Sequence, residues 1–162
     1  MNIRPAEDRD HGPISEVWAP VIRDTTVTFA SDERPPAAVA KLVADRRAAG
    51  YEFFVAEVDG RVAGFATYAQ FRGGNGYVTS MEHSIILAPE AWGRGVGRAL
   101  MQAVETHARE RGAHTMVAVV SAENPAGVAF HAACGYETQG TLREVGRKFG
   151  RWLDAVFMVK VL

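Results

Sequence analysis

The sequence has only one cysteine, Cys134, among its 162 residues, so no disulfide can form within the chain. Disulfide frameworks are typical of secreted proteins, and a single cysteine suits a reducing cytosol. No apolar run approaches the ~20 residues that a membrane-spanning helix requires. The charged N-terminus, MNIRPAEDRDHG, lacks the apolar core of a signal peptide. We therefore expect a cytoplasmic protein without a membrane partner.

A strong net charge is also lacking. The chain has 18 Lys and Arg residues against 19 Asp and Glu residues, which gives a formal charge of −1. This balance provides no overall attraction to nucleic acid, so we expect no nucleic-acid partner. A hydrophobic fraction of 48% and a charged fraction of 23% are those of an ordinary globular protein. At this length we predict a single domain over residues 1–162, without repeats or linkers.

Two common phosphate-binding motifs are missing as well. The sequence contains no Gly-Lys-Ser or Gly-Lys-Thr, which excludes a P-loop. The segment Gly93–Gly97 (GRGVG) has its third glycine one position too early for the dinucleotide fingerprint G-x-G-x-x-G. It nevertheless connects a β-prone segment to an amphipathic helix, where glycines and a helix N-terminus together attract anions. The pattern predicts a phosphate-binding loop; a turn that only caps the helix is the alternative.

Turn and capping residues divide the rest of the chain into elements. Pro35 and Pro36 favour a helix start, Asp59-Gly60 a tight hairpin turn, and Asn124-Pro125 a further helix start. The predicted order is β-α-α-β-β-β-α-β-α-β-β. Such an order gives a mixed, largely antiparallel central sheet flanked by about four helices. The predicted fold class is α+β rather than doubly wound α/β.

The run Trp92-Gly93-Arg94-Gly95-Val96-Gly97 resembles the R/Q-x-x-G-x-G/A loop of the GCN5-related N-acetyltransferase (GNAT) superfamily. In that superfamily the loop holds the pyrophosphate of acetyl-coenzyme A. Trp92 departs from the pattern, because Arg or Gln is usual at that position. The predicted element order is also the GNAT order, so the resemblance covers nearly the whole chain.

Several segments are similar, more narrowly, to the phosphinothricin and methionine-sulfoximine N-acetyltransferase group. These segments are Phe71-Arg72, Tyr77, Glu82-His83-Ser84, Val117–Val120, Asn124-Pro125 and residues 140–154 (GTLREVGRKFGRWLD). The resemblance implies a GNAT fold and a detoxifying N-acetyltransferase. It also implies acetyl-CoA as co-substrate, no metal, and a small amino-acid-like acceptor that is acetylated on its α-amine within a ternary complex.

The resemblance also implies the cofactor contacts. In this superfamily the central strand splays from its neighbour, which frees backbone amides for the acetyl and pantetheine groups. The cofactor-binding residues implied are Ile85, Ile86, Leu87, Gly93, Arg94, Gly95, Val96, Gly97, Arg98 and Asn124. Asn124 would contact the cofactor while capping its helix, and the capping role alone would explain it.

Two residues are candidates for the chemistry. A carboxylate beside the acyl carbon can remove a proton from the acceptor ammonium. Glu82 lies just before the cofactor loop, and the residues leave open whether it is that base or pairs with an arginine. His131 can donate a proton near neutral pH or be a buried helical histidine. The resemblance favours Glu82 as general base and His131 as the group that assists thiolate departure. Tyr136 is a second candidate acid or a packing residue.

The acceptor pocket is predicted from polar and aromatic residues. Arg72 can bind a carboxylate bidentately, although a solvated loop charge would look the same in sequence. Tyr77 is expected to close the pocket, and Phe29 with Glu33 to line its side-chain end; Phe29 can equally be a core aromatic. His83 should face opposite to Glu82 on the pleated strand, as a pocket or structural residue.

The basic group Arg143, Arg147, Lys148 and Arg151 can bind a substrate group, the cofactor 3′-phosphate or a partner subunit, or can be a solvated turn. Related enzymes are commonly homodimers, so a homodimer is implied. Two other functions stay open. One is acetylation of another amine, such as a peptide N-terminus, a lysine or a polyamine. The other is a sensor that binds coenzyme A without catalysis.

Overall fold

The structure is a computed structural model that describes every residue from Met1 to Leu162. Its strands are β1 (Asn2–Pro5), β2 (Phe53–Val58), β3 (Arg61–Gln70), β4 (Ser80–Leu87), β5 (Thr115–Ser121), β6 (Glu137–Lys148) and β7 (Arg151–Val161). Its helices are α1 (His11–Asp24), α2 (Pro36–Ala48), α3 (Val96–Glu110) and α4 (Pro125–Ala133). Both the predicted order of elements and the α+β class are confirmed. None of these helices is long and apolar enough to cross a membrane.

All seven strands join in one sheet with the order β1-β2-β3-β4-β5-β7-β6. Only β4 and β5 run parallel, and every other neighbouring pair is antiparallel. The turn residues that were identified in the sequence lie at the ends of the helices and strands, as expected. Asp59 and Gly60 both have positive φ in the β2–β3 turn. Pro36 begins α2, and the Asn124 side chain accepts a hydrogen bond from the Gly127 N–H at the start of α4.

The two faces of the sheet have separate hydrophobic cores. Helix α3 packs on one face with Met81 of β4, whereas α1 and α2 pack on the other face with Ile86. Side chains alternate along a strand, so Glu82 and Ser84 face α1 and α2 with Ile86. His83 lies on the opposite face with Met81. The structure therefore confirms that Glu82 and His83 point in opposite directions.

The parallel contact between β4 and β5 is short. The two strands pair only from Ser80 to Glu82 on β4, opposite Thr115 to Val117 on β5. Beyond this point β5 continues to pair with β7 as far as Ser121. The remaining part of β4, from His83 to Leu87, keeps its pairing with β3 but has no partner on the β5 side. The central strand is therefore splayed, as the resemblance implied.

Candidate active site

A cavity of about 350 Å³ occupies the opening between β4 and β5. The predicted site residues that line it are Phe29, Glu82, His83, Ile85, Ile86, Asn124 and His131. The loop after α1 contributes Val27 to Ala30, and α1 contributes Trp18. The structure thus brings both proposed catalytic residues to one cavity from β4 and α4.

Glu82 lies on the wall of this cavity, half-buried between the sheet and the first two helices. Burial raises the pKa of its carboxyl group, and the charge of Arg46 opposes part of this rise. No side-chain hydrogen bond holds the carboxylate. A carboxylate with a raised pKa and no bonded partner suits a general base, because it gains affinity for a proton and stays free to accept one.

His131 contacts His83 directly, although the two residues are far apart in the sequence. Their Nε2 atoms are 2.9 Å apart, and Nδ1 of His131 lies 2.7 Å from the Gly127 carbonyl oxygen. That oxygen can only accept, so Nδ1 of His131 carries a proton. Burial lowers the pKa of both rings, so both are neutral. His83 therefore donates its Nε2–H to His131.

Further polar groups lie behind the two histidines. The ring of Tyr136 packs 5.5 Å from each histidine ring, and burial raises the pKa of its hydroxyl. Next to it, Glu105 accepts a hydrogen bond from Lys160 at 2.6 Å. The Tyr136 hydroxyl is buried and has no hydrogen-bond partner of good geometry. Tyr136 consequently keeps its proton and forms the floor beneath the histidine pair.

The glycine loop has the features that a pyrophosphate requires. Gly93 and Gly95 have φ values of 72° and 78°, and nothing lies within 4 Å of the position a Cβ would occupy on either. Helix α3 begins at Val96, so its free N–H groups point to this open space. Arg98 is exposed, while Arg94 donates to Asp59 at 3.2 Å. The residues present therefore fit a bound phosphate group.

Gly97 has a different role in the same loop. A Cβ on this residue would lie 2.9 Å from the ring of Phe130 and 3.1 Å from Leu87. The glycine thus allows α3 to pack closely against α4 and β4. Trp92, at the position where the resemblance implied Arg or Gln, has 66% of its surface exposed. It contributes no cation to the loop.

Three predicted acceptor residues lie outside the cavity lining. Arg72 and Tyr77 are both exposed on the loop between β3 and β4, with the guanidinium 5.4 Å from the ring centre. Glu33 is exposed on the loop before α2, where its carboxylate lies 3.6 Å from Arg23. Phe29 lines the cavity and packs against Gly146 of β6. The structure therefore brings Phe29, but not the other three, to the candidate base.

Sequence reasoning missed two features of the site. Lys148, assigned only to a basic group, is buried and donates to the carbonyls of Ile22, Thr25 and Thr28. The other feature is Arg46, which comes near Glu82 from α2. It lies three residues after Val43 on the buried stripe of that helix, so a cation at a core-facing position was the available signal.

Comparison with known proteins agrees with this geometry. The model of the acetyltransferase (GNAT) family matches residues 18–136. The chain belongs to the GNAT acetyltransferase family. A relative of this GNAT protein is the L-methionine sulfoximine/L-methionine sulfone acetyltransferase of Salmonella typhimurium. The two are 34% identical over 98% of this chain and 92% of the relative.

Two solved structures are similar to this GNAT protein over nearly its whole length. One is a phosphinothricin acetyltransferase from Sinorhizobium meliloti in complex with acetyl-CoA; its TM-score is 0.93 at 33% identity, covering 99% of this chain and 88% of that one. The other is a ribosomal-protein-alanine N-acetyltransferase from Brucella melitensis, with a TM-score of 0.96 at 35% identity and full coverage of both chains. This GNAT protein is an acetyl-CoA-dependent N-acetyltransferase. No group of three His, Cys, Asp or Glu side chains is arranged to hold a metal ion.

Proposed function

We propose that this enzyme acetylates the α-amine of a small amino-acid-like acceptor of the phosphinothricin or methionine sulfoximine/sulfone type, as a detoxifying reaction. The observation that carries the proposal is Glu82, an unpaired carboxylate with a raised pKa on the wall of the splayed-strand cavity. The names of the similar enzymes from Salmonella and Sinorhizobium support the acceptor class. The cavity of about 350 Å³ has the size of a small-molecule site.

In this mechanism Glu82 is the general base. An α-ammonium group is mostly protonated at neutral pH and must lose a proton before it can attack. Glu82 accepts that proton directly or through one water molecule. Acetyl-CoA supplies the acetyl thioester, whose carbon–sulfur bond breaks as the nitrogen–carbon bond forms. Backbone groups of Ile85, Ile86 and Leu87 on the unpaired edge of β4 orient the acetyl and pantetheine groups.

His131 assists the departure of the thiolate from the opposite wall. Its Nδ1–H is held by Gly127, which fixes the ring and leaves Nε2 facing His83. Because both rings are neutral, the pair has no spare proton to release, and the proton that neutralises the thiolate comes from the attacking nitrogen of the acceptor. We therefore propose that His83 positions His131 through the Nε2–Nε2 hydrogen bond, so that the His131 ring lies beside the departing sulfur, rather than contacting the acceptor itself. Gly93–Arg98 holds the pyrophosphate, and Asn124 contacts the cofactor with the amide nitrogen that its capping bond leaves free.

The test is thiol release from acetyl-CoA with phosphinothricin, methionine sulfoximine and methionine sulfone as acceptors. Glu82→Gln keeps the shape of the side chain but cannot take the proton, so we expect kcat to fall by about 10²–10⁴-fold. Acetyl-CoA binding should change little. An acceptor that Glu82→Gln turns over at the wild-type rate would remove Glu82 from the mechanism.

Arg72 is proposed to reach the acceptor carboxylate from the β3–β4 loop, with Tyr77 closing the pocket. Arg72→Ala is then expected to raise KM for the acceptor by about tenfold or more, because a charge-assisted hydrogen bond is lost. KM for acetyl-CoA should stay unchanged. Steady-state kinetics with each substrate varied in turn measure both values, and equal effects on both would contradict the assignment.

A second candidate function is acetylation of a peptide N-terminus, which the similarity to the ribosomal-protein-alanine N-acetyltransferase favours. A peptide acceptor continues beyond its first residue and needs an open groove. Peptides that begin with alanine, assayed beside the free amino-acid analogues, separate the two functions. Turnover of the peptides alone would replace the first proposal.

A further inference from the structure

Two arginines beside the cavity have no carboxylate partner. Arg34 is half-buried after the loop that follows α1, and its guanidinium lies 4.8 Å from the ring centre of Trp18, which lines the cavity. Arg46 is half-buried on α2. The Nε atoms of both arginines are shielded from solvent and make no hydrogen bond. Neither residue forms one of the salt bridges of the chain.

Only three arginines of the chain are half-buried rather than exposed: Arg4, Arg34 and Arg46. Arg4 contacts the carboxylates of Asp10 and Glu57, whereas Arg34 and Arg46 have no carboxylate partner. Shielding a cation from water without an anion costs free energy, and two such cations also repel each other. Burial lowers the pKa of Arg46, and the charge of Arg34 lowers it further. An uncompensated pair of this kind beside a cavity is typical of a binding site.

The two arginines lie on the side of the sheet that carries Glu82. Arg46 continues the stripe of Val39 and Val43, which pack toward the sheet face that carries Glu82. Among the cations, only Arg46 affects the pKa of Glu82. The other groups that act on Arg46 are Asp45, which Lys41 holds at 2.6 Å, and Tyr51. An anion between α1, α2 and β4 would therefore meet both arginines on the side of the base.

We propose that Arg34 and Arg46 form an oxyanion-binding subsite for the acceptor, which they bind while its amine lies at Glu82. The inference rests on the proposed amino-acid-like acceptor. Guanidinium groups bind carboxylate and phosphinate oxygens in a bidentate manner. The Nε atoms of both arginines are covered by protein, but their terminal nitrogens are not among the covered atoms and donate to no group of the chain. The oxygens come either from an acidic group at the end of the acceptor side chain or, with these two arginines in place of Arg72, from the α-carboxylate.

The experiment removes each charge while keeping most of the side-chain volume. Arg34→Met and Arg46→Met are compared with Arg109→Met, a control at an exposed position on α3. KM is measured for phosphinothricin, L-methionine sulfone, L-methionine sulfone amide and acetyl-CoA. We expect KM for phosphinothricin to rise about tenfold to a hundredfold in the two site variants, because charge-assisted hydrogen bonds are lost. KM for acetyl-CoA should stay within about twofold, and Arg109→Met should match wild type.

The three acceptors distinguish the two sources of the oxyanion. If the subsite binds the α-carboxylate, KM rises equally for phosphinothricin and the sulfone but not for the amide, which lacks that group. If it binds the side-chain group, KM rises for phosphinothricin much more than for the sulfone. Equal increases for all three acceptors, or none, would overturn the proposal. Arg34→Lys and Arg46→Lys keep the charge and replace any methionine variant that fails to fold.

Failure of the proposed function is recognised separately. If wild type acetylates none of the three acceptors, calorimetric titration of phosphinothricin into the acetyl-CoA-free protein tests the subsite alone. A Kd that rises at least about tenfold in Arg34→Met and Arg46→Met supports the subsite without the reaction. An unchanged Kd, or no binding by wild type, overturns it.

Discussion

At the scale of single residues, the contact between His83 and His131 links stability to pH. Burial lowers the pKa of both rings below the value of 6.5 for an unperturbed histidine. At pH values between the pKa of a histidine in the folded chain and its pKa in the unfolded chain, the unfolded chain binds more protons than the folded chain. The stabilising contribution is therefore complete above 6.5 and is lost as pH falls below it. Each histidine contributes at most ~1.4 kcal/mol per pH unit to this slope.

His83→Gln tests this link. Glutamine can still donate to His131 but does not titrate, so the free energy of unfolding should depend less steeply on pH between about pH 6.5 and about pH 5. Urea unfolding at several pH values measures this pH dependence. His114→Gln, at an exposed position, is the control and should keep the wild-type slope. The raised pKa of the Glu82 carboxyl changes the pH dependence of stability in the opposite direction. Both variants keep Glu82, so this effect cancels in the comparison between them. An unchanged slope in His83→Gln would contradict the neutral buried pair.

At the scale of elements, Lys148 of β6 connects the last hairpin to the loop that lines the cavity. Its ammonium donates to the Ile22, Thr25 and Thr28 carbonyls at 2.6, 2.6 and 2.9 Å. These bonds hold the end of α1 and the segment that carries Phe29. Loops have few stabilising contacts of their own, so this anchor determines how well the segment is ordered.

Lys148→Met should therefore affect both stability and binding. The loss of these bonds leaves buried carbonyl oxygens unsatisfied, and we expect a cost of about 1–3 kcal/mol in the free energy of unfolding. KM for the acceptor should rise, while KM for acetyl-CoA changes less. Denaturant unfolding and steady-state kinetics measure the two effects. Lys41→Met removes an exposed pair on α2 and should cost less than ~0.5 kcal/mol. Equal costs for the two variants would rule out the anchoring role.

At the scale of the whole molecule, the β6–β7 hairpin exposes apolar side chains at the edge of the sheet. Leu142, Val145, Phe149 and Trp152 have between 47% and 58% of their surfaces exposed. An unpaired edge strand with an apolar patch is typical of a contact surface. We propose that a second copy of the chain covers it to form a homodimer.

Light scattering at micromolar concentration tests the homodimer. The expected mass is twice the chain mass of 17.6 kDa. Leu142→Asp should shift it toward the monomer, because a charge would be buried in the interface. Val78→Asp, which replaces an exposed valine on the β3–β4 loop, should leave the mass unchanged. A monomer in wild type would remove the hypothesis.

The sequence predicted the features that depend on neighbouring residues and missed those that depend on contacts between distant residues. Pro36, Gly60 and Asn124 act on their own backbone neighbours, so the element boundaries that they mark were predictable. The contact of His83 with His131 and the approach of Arg46 to Glu82 join distant parts of the chain. Only the packing of α4 and α2 on the sheet creates them. Arg72 was predicted from its chemistry, but its loop keeps the side chain exposed, so its role stays a prediction.

The unpaired edge of β4 lies where strands of other molecules cannot easily pair with it, which limits aggregation. Free N–H and C=O groups on a strand normally recruit strands from other molecules, and proteins protect such edges. Here the free edge lies in the middle of the sheet, where β5 and the paired segment from Ser80 to Glu82 enclose it. The free edge therefore faces a cavity of about 350 Å³ inside the molecule rather than an outer edge of the sheet. The protein can therefore keep an unpaired strand permanently available without exposing it to other copies of itself.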